Sequence, residues 1–480
     1  MTPWDPTTAD GRIYSGRWRP GGGGVREVVS PGSGAVIGRI GVADQTDVAR
    51  AGRAAAAAQR RWGAASYRDR AGVLARAAAA LREMRSDVEQ MIVRESGSLP
   101  SKAHYEVDKA VAELEAAVGL VTASQGDILP VDDPATLGLA RRVPVGVVGV
   151  ITPWNAPLTL GIRSVAPAIA LGNAVLLKPD PKTPFSGGAA IAEVLQLAGL
   201  PKDLLHVLPG GADVGEAVVR CPDTSVISFT GSSAAGRQVG AIAGGLLKRL
   251  ILELGGNNAI VVMADADLDR AVDCALAGAY RHQGQVCMAT GRHLVHESIA
   301  DEYERRLVEA VRTMVPTDPL AAGATMGPLI TSAQAERVHD IVERTVSQGA
   351  RVLTGGTHEG NLYQPTVLAD VDPASPAFTH EIFGPVAPVT RFATVEEALQ
   401  LAGATDYGLS AAIHTSDAAA GLAFASQLRV GMVAINGRTN YDAPHIPMGG
   451  MGASGNGSRH GGRWDLEELT FVQWVTMPAS

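Results

Sequence analysis

The middle of the chain alternates short β-branched runs with stretches of helical character, and this alternation limits the folds available to it. Val145–Ile151, Ala174–Lys178 and Ser225–Phe229 are runs of the length and composition of buried strands. The pattern restarts after Glu253, with Asn258–Met263 as its next strand. Strands separated by helices in this way form βαβ units and a parallel sheet. The 480 residues therefore predict an α/β fold with at least two domains.

Composition and charge exclude several classes of protein. The formal net charge is −8 and no basic stripe is present, so we expect no nucleic-acid partner. The longest apolar run, Val143–Ile151, is far too short to span a bilayer, so we expect no membrane partner. Met1–Asp5 has neither a basic nor an apolar segment, so no signal peptide is expected.

The cysteines indicate the compartment and one candidate nucleophile. Cys221, Cys274 and Cys287 are far apart in sequence and cannot all pair, which fits free thiols in a reducing, cytoplasmic setting. No Cys/His spacing resembles a metal site. Cys287 differs from the other two because small and amide residues surround it in Gln283–Ala289. A structural thiol remains the alternative.

Two further residues would complete a covalent mechanism with Cys287. Glu253 ends an apolar run beside Gly255 and Gly256 and is a candidate general base. A thiolate attacks a carbonyl carbon, and a carboxylate can activate the water that breaks the adduct. Asn155, in a loop with two prolines, is a candidate donor to an oxyanion, with the Cys287 N–H as the second donor. The alternative for that loop is a rigid turn.

Glycines mark one candidate phosphate site. Phe229–Gly236 follows strand-like residues and precedes a helical pattern, so Gly231 and Ser232 would bring an anion to a helix N-terminus. A plain tight turn would look similar. Gly32–Gly38 has one residue too many for a dinucleotide motif and is predicted to be a hairpin turn instead. Lys178 ends a strand, where it is either solvated or a hydrogen-bond partner of a ribose.

Taken in order, these motifs resemble those of the aldehyde dehydrogenase superfamily. The matching segments are Pro153–Asn155, Lys178–Pro179, Phe229–Ser232, Glu253–Gly256, Gly284–Cys287 and Glu381–Pro385, with Asn436 and Gly449–Gly450 near the C-terminus. The resemblance implies that Cys287 attacks an aldehyde to give a thiohemiacetal, with Asn155 and the Cys287 amide holding the oxyanion. Hydride would pass to a nicotinamide to leave a thioester, which Glu253 would hydrolyse through water.

The resemblance also implies a cofactor site. Glu381 would hold the nicotinamide ribose, Phe383 would pack at that end, and Lys178 would reach the adenosine ribose. NAD is the expected cofactor and NADP the alternative, because many members carry a glutamate where Pro181 stands. The implied cofactor residues are Ile151, Thr152, Trp154, Lys178, Asp180, Pro181, Gly211, Gly231, Ser232, Gly236, Leu254, Glu381 and Phe383.

The family fold implies three parts. Residues 1–125 and 143–254 would form a Rossmann-like cofactor domain, and residues 255–445 an α/β catalytic domain that carries Cys287. Residues 126–142 and 465–480 would form a small β extension for oligomerisation. Exposed edge strands of this kind pair with another subunit, so a homodimer or homotetramer is expected.

Some details are similar to the benzaldehyde and vanillin dehydrogenases within the superfamily, which implies an aromatic aldehyde as the substrate. They are Lys178–Pro184, His282–Met288 and Leu469–Thr476. An aliphatic semialdehyde dehydrogenase is one alternative; it would need a cation for the distal carboxylate, and Arg163 is the obvious candidate unless it makes a structural salt bridge. A CoA-acylating enzyme is another, against which Glu253 argues. Asn155, Glu253 and Cys287 together argue against a non-enzymatic role.

Overall fold

The computed structural model describes residues 6–478. Met1–Asp5, on which the expectation of no signal peptide rests, and the last two residues of the predicted extension lie outside the described residues. The described part of the chain contains two large sheets, each of seven strands, and a smaller sheet of three. The α/β prediction is confirmed.

The first sheet is parallel except at one edge. In spatial order its strands are Arg249–Glu253, Thr224–Thr230, Val147–Ile151, Ala174–Lys178, Leu205–Val207, Arg12–Ser15 and Trp18–Pro20. The first five are parallel and the last two antiparallel. Every residue of the strands Val147–Ile151 and Ala174–Lys178 is buried, which is why these strands read as continuous apolar runs.

Four residues separate Glu253, the end of the first sheet's edge strand, from Asn258, where the first strand of the second sheet begins. Its strands, in spatial order, are Arg351–Thr354, Thr366–Ala369, Val386–Phe392, Thr290–His296, Asn258–Val262, Ser410–His414 and Met432–Ile435. Ala259 and Val261 pack into one apolar cluster, and Ile260 and Val262 into another. Alternate side chains thus cover the two faces of this sheet.

The third sheet is antiparallel and joins distant parts of the chain. Its strands, in spatial order, are Thr470–Pro478, Thr136–Pro144 and Gly126–Leu129. Separately, Val25–Val29 pairs with Val36–Gly41, so the predicted hairpin turn at Gly32–Gly38 is confirmed. Two-residue strands pair at His358–Glu359 with Leu362–Tyr363, and at Tyr407–Gly408 with Met451–Gly452.

Fifteen α-helices lie within residues 6–478. They are Gln45–Gly63, Tyr67–Glu83, Arg85–Ser96, Pro100–Leu120, Pro157–Ala170, Ala190–Leu197, Ala212–Arg220, Ser233–Gly245, Leu268–Ala279, Glu297–Val311, Ser332–Ser347, Pro376–Thr379, Val395–Ala402, Ala418–Ala425 and Arg463–Glu468. None of them is both long enough and apolar enough to cross a membrane.

Candidate active site

The loop that carries Cys287 is fixed by a buried carboxamide of the second sheet. Asn258 Nδ2 donates to the carbonyl oxygens of Cys287 at 2.9 Å and Ala289 at 2.7 Å. Its Oδ1 accepts from the Ser410 N–H at 3.0 Å. Gly256 packs so closely that an added Cβ would lie 2.5 Å from the Cys287 oxygen. The sequence reading missed Asn258, because it looks like any polar residue at the start of a strand.

Asn155 approaches the same loop from the first sheet. The residue is buried, and its Nδ2 donates to the Gln285 carbonyl at 2.9 Å. An amide nitrogen carries two hydrogens, so the second remains available for another acceptor. Asn155 and Cys287 line one cavity of about 110 Å³. The structure therefore brings together the candidate nucleophile and the candidate oxyanion donor.

Glu253 is buried, and neither of its carboxyl oxygens has a hydrogen-bond partner within the described residues. Burial raises its pKa well above the usual range, although the charges of Arg459 and Arg163 act in the opposite direction. A buried carboxyl without partners favours its neutral form. A group with a raised pKa can act as a base near neutral pH when it loses its proton.

Cys287 has a strongly perturbed thiol. Burial among protein atoms, with the charges of Glu381 and Glu253, raises the pKa of Cys287 to about 12. The thiol is therefore protonated at neutral pH in the protein without cofactor. Attack on a carbonyl requires the thiolate, so a group in the site must take that proton.

A separate cleft of about 460 Å³ lies where parallel strands of the first sheet end. Ligands of α/β sheets bind at such carboxyl ends. Nine of the thirteen predicted cofactor residues line it: Ile151, Thr152, Trp154, Lys178, Asp180, Pro181, Gly211, Gly231 and Ser232.

The residues of this cleft fit a dinucleotide. Helix Ser233–Gly245 begins there with Ser232 as its N-cap, so unpaired backbone N–H groups face an incoming phosphate. A Cβ on Gly231 would lie 2.7 Å from the Phe229 ring. The buried Thr152 Oγ1 has no partner among the described residues and offers a hydrogen bond. Burial lowers the pKa of Lys178, as expected for an ammonium group that lacks full hydration.

The other four predicted cofactor residues, Gly236, Leu254, Glu381 and Phe383, are not among the residues that line this cleft. A Cβ on Gly236 would meet the Leu254 side chain at 2.3 Å, so their contact is with each other. Glu381 Oε1 accepts from the Gly256 N–H at 3.0 Å, beside Cys287. The Phe383 ring packs edge-on against Trp154, which lines the cleft, with 5.5 Å between centroids.

Arg163, the candidate cation for a distal carboxylate, lies on the cavity wall and is already paired. Its guanidinium donates to Glu113 Oε1 at 2.8 and 3.0 Å and also to Asp442 Oδ2. Other cavity residues come from distant segments that no local motif marks. These residues are Lys102, Tyr105, Glu106, Lys109, Arg281, Asn440, Asp442 and Met448.

The fold and site are those of an oxidoreductase that combines a dinucleotide cleft with a thiol beside a substrate cavity. The model of the aldehyde dehydrogenase family matches residues 18–475, and the chain belongs to that family. It is an aldehyde dehydrogenase that uses a nicotinamide cofactor and acts on small aldehydes.

Three known proteins illustrate the similarity. The benzaldehyde dehydrogenase [NAD(+)] of Pseudomonas putida is 48% identical over 467 residues, covering 97% of this chain and 96% of its own. The vanillin dehydrogenase of an Amycolatopsis species is 48% identical over 468 residues, with the same coverage of both chains. The crystal structure of betaine aldehyde dehydrogenase from Staphylococcus aureus in complex with NAD+ has a TM-score of 0.95, 28% identity, and covers 98% of this chain and 95% of its own.

The raised pKa of Cys287 predicts how the thiol reacts in the protein without cofactor. Below the pKa the thiolate fraction rises about tenfold per pH unit, so alkylation of Cys287 by iodoacetamide should accelerate continuously from pH 7 to 10. Mass spectrometry of the digested protein measures the rate at this cysteine alone. A rate that levels off below about pH 9 would contradict the assignment, because it would indicate a thiol with an ordinary pKa.

Proposed function

We propose that this enzyme oxidises an aromatic aldehyde to its carboxylic acid, with NAD as the acceptor. The cavity that contains Cys287 carries this proposal. Its apolar walls include Leu160, Val286 and Met448, and its volume is about 110 Å³. An apolar cavity of roughly 150 Å³ holds benzene, so the space is of the order that one ring needs. The names of the two relatives at 48% identity point to the same substrate class.

Three residues carry the proposed chemistry. Cys287 loses its proton and its sulfur bonds to the carbonyl carbon of the aldehyde. The free amide hydrogen of Asn155 and the Cys287 N–H donate to the oxygen that becomes negative. A bound nicotinamide would supply the acceptor for the hydride that leaves this carbon. Glu253 then removes a proton from the water that attacks the thioester, which releases the acid and returns the thiol.

The cofactor assignment rests on the cleft of the first sheet. Gly231, Ser232 and the start of helix Ser233–Gly245 would hold the pyrophosphate, and Lys178 the adenosine ribose. Leu254, Glu381 and Phe383 would bound the nicotinamide end beside Cys287. Pro181 brings no carboxylate to repel a 2′-phosphate, and Lys178 and Lys182 lie close by. We therefore propose that NADP is also accepted.

The paired state of Arg163 argues against an aliphatic semialdehyde as the substrate. Glu113 and Asp442 already neutralise this cation, so a substrate carboxylate would have to compete with them. Among the cations that line the cavity, Arg281 is the one for which no carboxylate partner is found within the described residues. Its guanidinium lies 5.1 Å from the centre of the Tyr105 ring. Oxidation of succinic semialdehyde in preference to benzaldehyde would favour the aliphatic alternative and implicate Arg281.

The assembly and the location are also part of the proposal. Residues 1–125 and 143–254 would form the cofactor domain, 255–445 the catalytic domain, and 126–142 with 465–480 the extension. The edge strand Thr470–Pro478 of the three-stranded sheet exposes Val472 and Trp474, an apolar edge of the kind that pairs with a second copy. We propose a homodimer or homotetramer through this edge, in the cytoplasm.

The role of Glu253 predicts the kinetics of Glu253→Gln. If Glu253 activates the deacylating water, this variant should release one equivalent of NADH per site in a burst and then turn over about 10² to 10⁴ times more slowly. Stopped-flow absorbance with benzaldehyde and NAD measures both phases. Glu193→Gln is the control, since burial also raises the pKa of Glu193, a half-buried glutamate that is not among the charges acting on Cys287.

Two outcomes would contradict this assignment. Loss of the burst itself in Glu253→Gln would place the carboxylate at the step in which Cys287 attacks. Restoration of turnover by CoA, or acid formation that requires CoA in the unmodified enzyme, would identify an acylating enzyme instead. Cys287→Ala should abolish NADH formation altogether while cofactor binding, followed by fluorescence quenching, survives.

Cofactor preference should respond to the charge at position 181. Pro181→Glu places a carboxylate beside the adenosine ribose, where it accepts ribose hydroxyls and repels a 2′-phosphate. The ratio of kcat/KM for NAD to that for NADP should rise at least about tenfold, which corresponds to about 1.4 kcal/mol. Pro181→Gln is the neutral control and should move this ratio far less. An unchanged ratio in Pro181→Glu would place the ribose elsewhere.

A further inference from the structure

One wall of the cavity that contains Cys287 has two acceptor oxygens without a donor. The buried Asn440 Oδ1 and Asp442 Oδ1 make no hydrogen bond among the described residues. The rest of each side chain is engaged: Asn440 Nδ2 donates to the Ala277 carbonyl at 2.8 Å, and Asp442 Oδ2 accepts from Arg163. Both residues line the cavity, so a ligand there borders the two side chains whose acceptors lack a partner.

The two cations that contact Asp442 are Arg163 and Lys109, and neither of them binds its Oδ1. Arg163 pairs with Glu113 Oε1 and Asp442 Oδ2. Lys109 Nζ donates to the Asp442 carbonyl at 2.7 Å and lies 3.5 Å from Oδ2. The two cations thus hold the backbone and one carboxylate oxygen of Asp442, and leave the other oxygen free.

Asp442 carries a negative charge in this setting. Burial raises its pKa, but the charges of Arg163 and Lys109 outweigh that effect, so the pKa is lowered overall. A hydrogen bond to a charged acceptor is stronger than one between neutral groups. A buried acceptor that goes without a donor costs free energy, which a ligand with a donor can recover.

Asp442 also lies within electrostatic reach of the proposed chemistry. Its charge acts on both the Cys287 thiol and the Glu253 carboxyl, and raises the pKa of each. Asp442 and Cys287 therefore border the same cavity from positions close enough for their charges to interact. A ligand whose carbonyl meets the thiol would share this cavity with the side chains of Asn440 and Asp442.

We propose that Asn440 and Asp442 determine specificity, and that they select aromatic aldehydes with a hydroxyl group on the ring. The hydroxyl donates its hydrogen to this acceptor pair. An unsubstituted ring leaves the pair without a donor, and so does a ring that carries a methyl or methoxy group. This inference rests on the proposed function, because it assumes that the substrate is an aromatic aldehyde.

Two other residues that line the cavity could recognise a ring substituent, and both would do so by donating a hydrogen bond. Tyr105 has a phenolic hydroxyl, and Arg281 has a guanidinium group that stacks on the Tyr105 ring. These groups would recognise any ring oxygen, whether it carries a hydrogen or a methyl group. A methoxy substituent therefore separates the two cases, since it accepts hydrogen bonds but cannot donate them.

The test is a substrate series with the unmodified enzyme. We would measure kcat/KM for benzaldehyde and for its hydroxy, methoxy and methyl derivatives at the 3 and 4 positions. At the better position the hydroxy compound should exceed the methyl compound at least about tenfold, and methoxy should be no better than methyl. Hydroxy and methoxy groups donate electrons to the ring similarly, so this comparison removes the electronic contribution.

A variant tests the residues themselves. Asn440→Leu removes one acceptor of the pair at similar volume, and the ratio of hydroxy to methyl kcat/KM should fall measurably below that of the unmodified enzyme. Asn361→Leu is the matched control, because Asn361 also donates its amide to backbone carbonyls, those of Pro31 and Leu329, but does not line the cavity. Its ratio should equal that of the unmodified enzyme. If Asn440→Leu fails to fold, the substrate series still decides.

The outcomes separate this inference from the proposed function. Equal kcat/KM for hydroxy and methyl compounds would overturn the inference while leaving aromatic aldehyde oxidation intact. Equal gains from hydroxy and methoxy groups would overturn it in favour of Tyr105 or Arg281 as the recognising group. Failure to oxidise any of the ring aldehydes would overturn the proposed function itself.

Discussion

The hydrogen bonds from Asn258 to the loop around Cys287 are the interaction on which the candidate site depends. One carboxamide holds the Cys287 and Ala289 carbonyls and is itself held by the Ser410 N–H. Asn155 holds the same loop from the first sheet through the Gln285 carbonyl. The loop that carries the thiol is therefore held from both large sheets, beside the cavity that Cys287 lines. Rigid placement of this kind is what positions a nucleophile for attack.

Burial of the candidate site perturbs the pKa values of its titratable side chains. It raises the pKa of Cys287, Glu253 and Glu381 together, so in the protein without cofactor neutral pH favours the protonated thiol. The cations around them are held by other partners: Arg459 donates to the Gly450 and Ser458 carbonyls, and Arg163 pairs with carboxylates. In each proposed half-reaction a raised pKa therefore has to be overcome: Cys287 loses its proton before it forms the thioester, and Glu253 loses its proton before it activates the water that clears it.

The family and the α/β fold were predictable from the sequence, because buried parallel strands read as apolar runs and the motifs occur in order. Helix boundaries were less predictable: the helices Tyr67–Glu83 and Arg85–Ser96 meet at Met84, where neither glycine nor proline marks the break. Asn258, Asn440 and Asp442 were missed because their roles arise from tertiary contacts with distant segments. Arg163 was recognised as a candidate, but its partners Glu113 and Asp442 could not be identified by spacing. The roles of the site residues and the domain boundaries stay predictions.

The proposed mechanism requires a thioester between Cys287 and the substrate, and this adduct can be trapped. Glu253→Gln enzyme would be mixed with benzaldehyde and NAD, quenched in acid, digested and examined by mass spectrometry. We expect an acyl group on the peptide that contains Cys287, removable by hydroxylamine and absent when NAD is omitted. NADH formed without any acyl group on Cys287, or with the acyl group on another residue, would contradict this mechanism.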